Sequence, residues 1–380
     1  MEKSGSEQRI HSLDWLRVFA VVMLVPFHSA MIFVLGDFHI KNGELSLGLT
    51  IFNGFVHFWH MPLFFFVAGA GTWFALQRRT VAEYVKERFL RLFVPLVFGI
   101  LLIIPPQVYY ERILKSQFSG SYIAFYPHFF RGVYPRGNFS WHHLWFLAYL
   151  FVFSMLSLKI FLWLRSEKAK PFNEKAAAYF GAGARIFYLS APLIIVEALL
   201  RIKYPGWQTL VSDWANFLFY LIVFIYGAWL NSEVKLQKAI VRNRWTSLAC
   251  GAIISVIFLI IELTGHNPPW GYNAARIGLL SLNALNRWFW LLAIVGFGMN
   301  HLEFHDGFLR YANQAALPFY ILHQTVIIVI GFYIIQLRLA LMIKYAVICI
   351  AAFPVTIAVY DSLIKRVNVL RFIFGMRLNR

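Results

Sequence analysis

Ten mostly apolar stretches, near positions 13–35, 51–76, 89–110, 143–164, 185–200, 214–231, 245–263, 280–300, 315–335 and 339–360, alternate with shorter polar segments. Each is close to the roughly 17 to 25 residues an α-helix needs to cross a hydrocarbon core about 30 Å thick. The pattern predicts an all-α polytopic membrane protein, a bundle of about ten transmembrane helices in a single integral-membrane domain over 1–380. The first stretch contains Asp14 and Arg17 and lacks a small-residue cleavage site, so it is expected to stay as a helix and not to be removed as a signal peptide. No internal repeat or low-complexity tract is visible.

Of the 380 residues, 60% are hydrophobic and only 14% charged, which rules out a soluble enzyme. The net charge of +18 finds its place in the loops. With an inward amino terminus, the cytoplasmic loops carry about twice as many Lys and Arg as the opposite loops, among them Lys3, Arg9, Arg78, Arg79, Lys86, Lys365, Arg366 and Arg380. This bias predicts that both termini are cytoplasmic, and it accounts for the basic balance without a nucleic-acid partner. Cys250 and Cys349 both lie in apolar runs, so no disulfide framework or Cys-based metal site is expected.

Ionisable residues in a span face the bundle interior or a wet cavity, so chemistry is sought there. Arg17 and His28 are eleven residues apart, which returns a helix to nearly the same face about 16 Å further along. Asp14, three residues before Arg17, is placed to hold its guanidinium. Pro26 is expected to kink the span beside His28. The plainer reading is a structural Asp–Arg pair with a core histidine bonded to a neighbouring helix.

The second span, FNGFVHFWHMPLFFFVAGAG, places His57 and His60 on one side at a depth similar to that of His28. His142 and His143 open the fourth span, and Tyr320 with His323 lies near the middle of the ninth. Together they suggest a histidine-rich wet pocket in the outer half. No carboxylate or thiolate stands at a clear ligand spacing and HExxH is absent, so neutral imidazoles acting as a base or as hydrogen-bond partners fit better than a metal site. The run Ala68 to Gly71 reads as a close helix contact.

At the cytoplasmic end, Arg88 and Arg91 enter the third span three residues apart, after Arg78 and Arg79, an arrangement suited to phosphate groups. Positive-inside bias alone also puts basic residues here. Outside, the segment from Glu111 to His142 is rich in Tyr, Phe, Gly and Ser, suiting either a polar ligand or an aromatic interface belt.

The sequence resembles the acyltransferase 3 family of membrane acyltransferases. The resemblance rests on LDWLRVFAVVMLVPFH with Arg17 and His28, MPLFFFVAGAG, Arg88-Phe-Leu-Arg91, HHLWFLAYL at 142–150 and LPFYILHQTV around Tyr320 and His323. Within the family it most resembles the glucan biosynthesis protein C branch, through LTIFNGFVHFWHMPLFFFVAG, HLWFL and LRFIFG. That branch resemblance implies succinylation of extracytoplasmic glucans, and the wider family O-acetylation of envelope sugars, in a bacterial inner membrane.

Residue chemistry and resemblance together lead us to expect an O-acyltransferase with a cytoplasmic acyl-CoA donor (succinyl-CoA or acetyl-CoA) and a carbohydrate acceptor arriving from the other face. No tightly bound cofactor is expected. His28 is the expected general base, with Arg17 and Asp14 completing the catalytic group. Arg88 and Arg91, with Arg78 and Arg79, are expected to bind the CoA phosphates. His57, His60, His143, Tyr320 and His323 are the candidate acceptor-binding residues. Arg201, Arg287 and Lys344 are the cations available for a succinate carboxylate. The alternative is a proton-coupled transporter using the same buried His, Arg and Asp, against which no inverted repeat is seen.

Overall fold

In the computed structural model, residues 11–206 and 208–378 are described; Lys3, Arg9 and Arg380 of the loop-charge reading lie outside the described residues. Their regular structure is all helical, with no strand beyond an isolated bridge between Val133 and Phe139. Among the described residues, eight helices are long and apolar enough to cross a membrane: His11–Ala30, Leu47–Gln77, Val81–Leu114, Trp214–Ser232, Arg244–Thr264, Ala274–His301, Gly307–Ile334 and Leu341–Ile364. Counting each of two bent pairs as one span, His142–Leu156 with Leu158–Leu164 (49°) and Glu167–Phe180 with Arg185–Leu200 (113°), makes ten. Eight of the ten expected spans thus match single helices, the fourth matches a pair bent by 49°, and the fifth is the second arm of a pair bent by 113°.

Prolines cause several of the irregularities. The first span breaks at Met23, where Pro26 has no N–H to offer the Val22 carbonyl. In the third, a π-helical turn over Phe89–Phe93 precedes Pro95, and a break at Ile103 precedes Pro105. Pro105 leaves the Leu101 carbonyl without its usual partner, and the Tyr126 hydroxyl donates to it at 3.1 Å.

The chain packs as two compact units. The first comprises residues up to 20, 58–79 and 153–313; the second comprises 21–57, 80–152 and 314–380. In the first unit the expected close helix contact is present. A Cβ on Gly69 would lie 1.9 Å from the Phe224 carbonyl oxygen, and one on Gly227 would lie 2.0 Å from that of Phe66. Only glycine at both positions lets these two helices touch backbone to backbone. In the seventh and last spans, Ile253, Val256, Ile260, Met342, Ile343 and Ile350 point outward. Faces of that size are at home in hydrocarbon and not in water.

Candidate active site

The second unit brings His28 and His323 into contact. His323 is fully buried, while His28 is half-buried at the end of the first span. Nδ1 of His323 faces the Tyr320 carbonyl oxygen at 2.6 Å and must carry a hydrogen there, so the neutral ring has its lone pair on Nε2. That Nε2 lies 3.1 Å from Nδ1 of His28, which also lies 3.1 Å from the Leu24 carbonyl oxygen. Both neighbours of His28 Nδ1 are acceptors, so the hydrogen-bond pattern assigns its hydrogen to Nδ1 and the basic lone pair to Nε2. A buried imidazole thereby fixes the tautomer and tilt of a more accessible one.

His143 stands beside this pair, its ring 5.3 Å from that of His323 and nearly perpendicular to it. Both of its nitrogens are committed. Nε2 donates to the Ile321 carbonyl oxygen at 3.0 Å, and Nδ1 accepts from Gln107 Nε2 at 3.3 Å. Gln107 also donates to Thr325 Oγ1 at 2.7 Å and accepts from Gln324 at 3.0 Å, while the Tyr320 hydroxyl donates to the His143 carbonyl oxygen. His143 and Tyr320 therefore strap the fourth span to the ninth and hold His323 in register. His57, on an exposed face, stacks its ring on Phe27 at 6.1 Å.

A second polar cluster of the same unit lies where loops 31–46 and 115–141 meet the end of the third span. His39 Nδ1 is 2.6 Å from Glu111 Oε2; Lys115 Nζ and the Tyr134 hydroxyl donate to Glu111 Oε1 at 2.9 and 3.2 Å. Burial, with the Glu111 charge adding to it, pushes the Tyr134 hydroxyl up to about 12, so it remains a donor. The His142 ring sits edge-on to His39 and Tyr134, with centroids 4.3 and 4.7 Å away.

In the first unit, Asp14 holds Arg17 at 2.8 Å, as their spacing predicts, and Asn313 Oδ1 accepts from the same guanidinium at 3.1 Å. His60 is buried and its Nε2 donates to the Ala20 carbonyl oxygen at 2.8 Å, in the last turn of the helix His11–Val22. His60 thus acts as a cap. Arg201 grips Glu197 through Nε and Nη2 at 2.8 and 2.6 Å, and Arg287 reaches the same carboxylate at 3.3 Å. Burial opposes the Arg201 charge, but the Glu197 carboxylate outweighs it and raises its pKa. In the second unit, Lys344 donates to Asn42 Oδ1 and the Ile335 carbonyl oxygen at 3.1 and 2.9 Å. All three cations considered for a succinate carboxylate are engaged within the protein.

The expected phosphate-binding arginines divide between the units, with Arg78 and Arg79 in the first and Arg88 and Arg91 in the second. Arg88 closes the helix Val81–Arg88, its guanidinium 5.0 Å from the centre of the Tyr84 ring and its Nε buried without a hydrogen-bond partner. Arg91 lies in the π turn, half-exposed and 3.4 Å from Glu87. The wider turn moves Arg91 off the face that an α-helical spacing of three gives it. Gly375 of the LRFIFG tail has φ +68°, and a Cβ there would come within 2.9 Å of both the Arg91 carbonyl oxygen and Pro95. That motif docks the tail onto the π turn.

Residues 10–361 match the acyltransferase domain of the acyltransferase 3 family. The chain belongs to this family. It is also similar to the Glucans biosynthesis protein C of Salmonella schwarzengrund (strain CVM19633), of Salmonella heidelberg (strain SL476) and of Salmonella typhi. Each is 25% identical over 383 residues, covering 97% of this chain and 94% of the relative. No solved structure matches it. The protein is a membrane acyltransferase.

The second unit thus holds a half-buried imidazole, His28, whose Nδ1 is fixed by a fully buried one, His323. The sequence reading missed Gln107, Gln324 and His39, and took Glu111 only as the start of the outer segment. Gln107 and Glu111 stand four apart on one face of an apolar helix, the same signal that drew attention to the histidines. Glu111 was hidden because the third span was expected to end at 110, whereas the helix runs on to Leu114.

Proposed function

We propose that this protein transfers an acyl group, succinyl or acetyl, from cytoplasmic acyl-CoA to a hydroxyl of an extracytoplasmic glucan or related envelope carbohydrate. It does so in a bacterial inner membrane, with both termini in the cytoplasm. The observation that carries the reading is the 3.1 Å contact between His323 Nε2 and His28 Nδ1, which orients His28 as a base. His28 Nε2 takes the proton of the acceptor hydroxyl as its oxygen attacks the thioester carbonyl. The C–S bond then breaks, and the leaving thiolate recovers that proton from the imidazolium as CoA thiol. Arg88 and Arg91 engage the donor's phosphates, and Arg17, held by Asp14 and Asn313, contributes a fixed positive charge. The names of the Salmonella relatives support a glucan as acceptor.

The test is release of CoA thiol from acetyl-CoA and succinyl-CoA by the purified protein in lipid nanodiscs, with and without neutral glucose oligomers. Acceptor-dependent release that vanishes in His28→Ala is the expected result. Equal release by His28→Ala would remove His28 as base. Absence of release, together with proton-driven solute uptake by reconstituted vesicles, would replace the enzyme with a carrier.

A further inference from the structure

We infer that His39, Glu111, Tyr134 and His142 form a binding site for neutral hydroxyl groups, the subsite at which a carbohydrate acceptor is first held. The inference rests on the acyl-transfer reading for the identity of its ligand, but its geometry stands apart from the His28–His323 pair.

His142 carries the argument. Its Nε2 is buried with no hydrogen-bond partner, a desolvation cost with no return in an imidazole that has nothing to bind. Its φ of +38° puts a non-glycine residue in the left-handed region, a second cost. Two unfavourable features on one residue, beside a paired His and Glu, mark a side chain held ready for a ligand.

The neighbours define what that ligand is. Glu111 fixes the hydrogen of His39 on Nδ1, so His39 Nε2 is an acceptor. The Tyr134 hydroxyl gives its hydrogen to Glu111 Oε1 and keeps oxygen lone pairs that accept from a ligand hydroxyl at the same place. The adjacent cations are committed: Lys115 to Glu111, and Arg112 to Asn138, Gln117 and the carbonyl oxygens of Pro135 and Gly137. An anion such as a CoA phosphate would find no uncommitted charge among these residues. A polyol, whose hydroxyls both donate and accept, matches the set.

The position fits an acceptor as well. Loops 31–46 and 115–141 follow the first and third spans, so two crossings separate them and they emerge on one side of the membrane. The 3-10 turn His142–Leu144 then carries the ligand-facing ring on one residue and, on the next, His143, whose ring packs on His323. A sugar held at His142 is thus coupled through one turn of backbone to the reaction centre.

The experiment is calorimetric titration of the full-length protein in nanodiscs with sophorose, laminaritriose, gentiobiose and maltotriose, and separately with acetyl-CoA and succinyl-CoA. Wild type is expected to bind at least one oligomer. His142→Asn, whose side chain tolerates the left-handed backbone, and Glu111→Gln should each weaken that binding about tenfold or more. Tyr134→Phe, which removes a single hydroxyl, should weaken it about threefold and serves if the larger changes unfold the protein. Thioester binding should stay within about twofold in all three. Failure of every oligomer to bind wild type, or undiminished binding by folded His142→Asn, overturns the site. Oligomer binding that follows His142 with no thioester binding would instead leave this site standing and remove the acyl-CoA reading.

Discussion

Each unit buries a polar cluster, and the two clusters are built on opposite principles. In the first, Glu197 is enclosed by Arg201 and Arg287, and Asn216 accepts a further bond from Arg201 at 2.8 Å. Opposite charges there are locked together in one hydrogen-bonded group. In the second, His28, His323, His143, His142 and His39 follow one another, and Glu111 is the carboxylate at the far end. Imidazoles can be buried neutral and still keep a lone pair for chemistry, whereas a buried guanidinium needs a counter-charge and is spent once it has one. The more highly charged cluster therefore reads as scaffold, and the more nearly neutral one is where the proposed acyl-transfer chemistry is placed.

The sharpest way to break this comparison is His28→Ala. Transfer should fall by about 10² to 10⁴, with the melting temperature nearly unchanged, because the half-exposed ring is oriented by His323 and supports little else. Glu197→Ala should do the reverse. Leaving two guanidiniums without their shared carboxylate should cost about 3 to 5 kcal/mol of stability, read from unfolding in detergent, with any remaining folded fraction turning over normally. A Glu197→Ala protein that stays fully stable yet loses transfer would erase the distinction between scaffold and site.

These contrasts also show how much of the molecule could be read from the chain. The eight unbroken spans follow from apolar runs, because bilayer thickness sets helix length so directly. The Asp14–Arg17 pair follows from its spacing of three. The partners of the histidines were not legible: His323 and His28 are 295 residues apart, and nothing local marks them as neighbours. Glu197 and Arg201, four apart on one helix, were legible in principle, but Arg201 was weighed alone as a ligand for succinate. The π turn that re-aims Arg91 was not, since a single inserted residue leaves the apolar pattern of FLRLFVP intact.

A smaller effect sharpens the role of His323. His323→Gln retains a hydrogen-bonding side chain but loses the ring that fixes the His28 tautomer, and should lower kcat about 10- to 100-fold. KM for the thioester should be unchanged and the acid limb of the pH–rate profile displaced. A residue that merely packs the ninth span would lower stability and leave that profile in place. If Arg88 engages the donor's phosphates as proposed, Arg88→Ala is expected to raise KM for acyl-CoA about tenfold with kcat preserved.

The smallest effect is the most discriminating between strap and site. Tyr320 was expected to touch the acceptor, yet its hydroxyl is directed to the main-chain carbonyl of His143. Tyr320→Phe removes that bond without opening a cavity and should cost about 0.5 to 1.5 kcal/mol, seen as a lower unfolding midpoint. Transfer kinetics should change less than about threefold, because the ring still packs and His143 keeps both of its side-chain bonds. If acceptor KM rises tenfold or more while stability holds, the Tyr320 hydroxyl serves the sugar, and the reactive region extends from the histidine row into the helix that carries it.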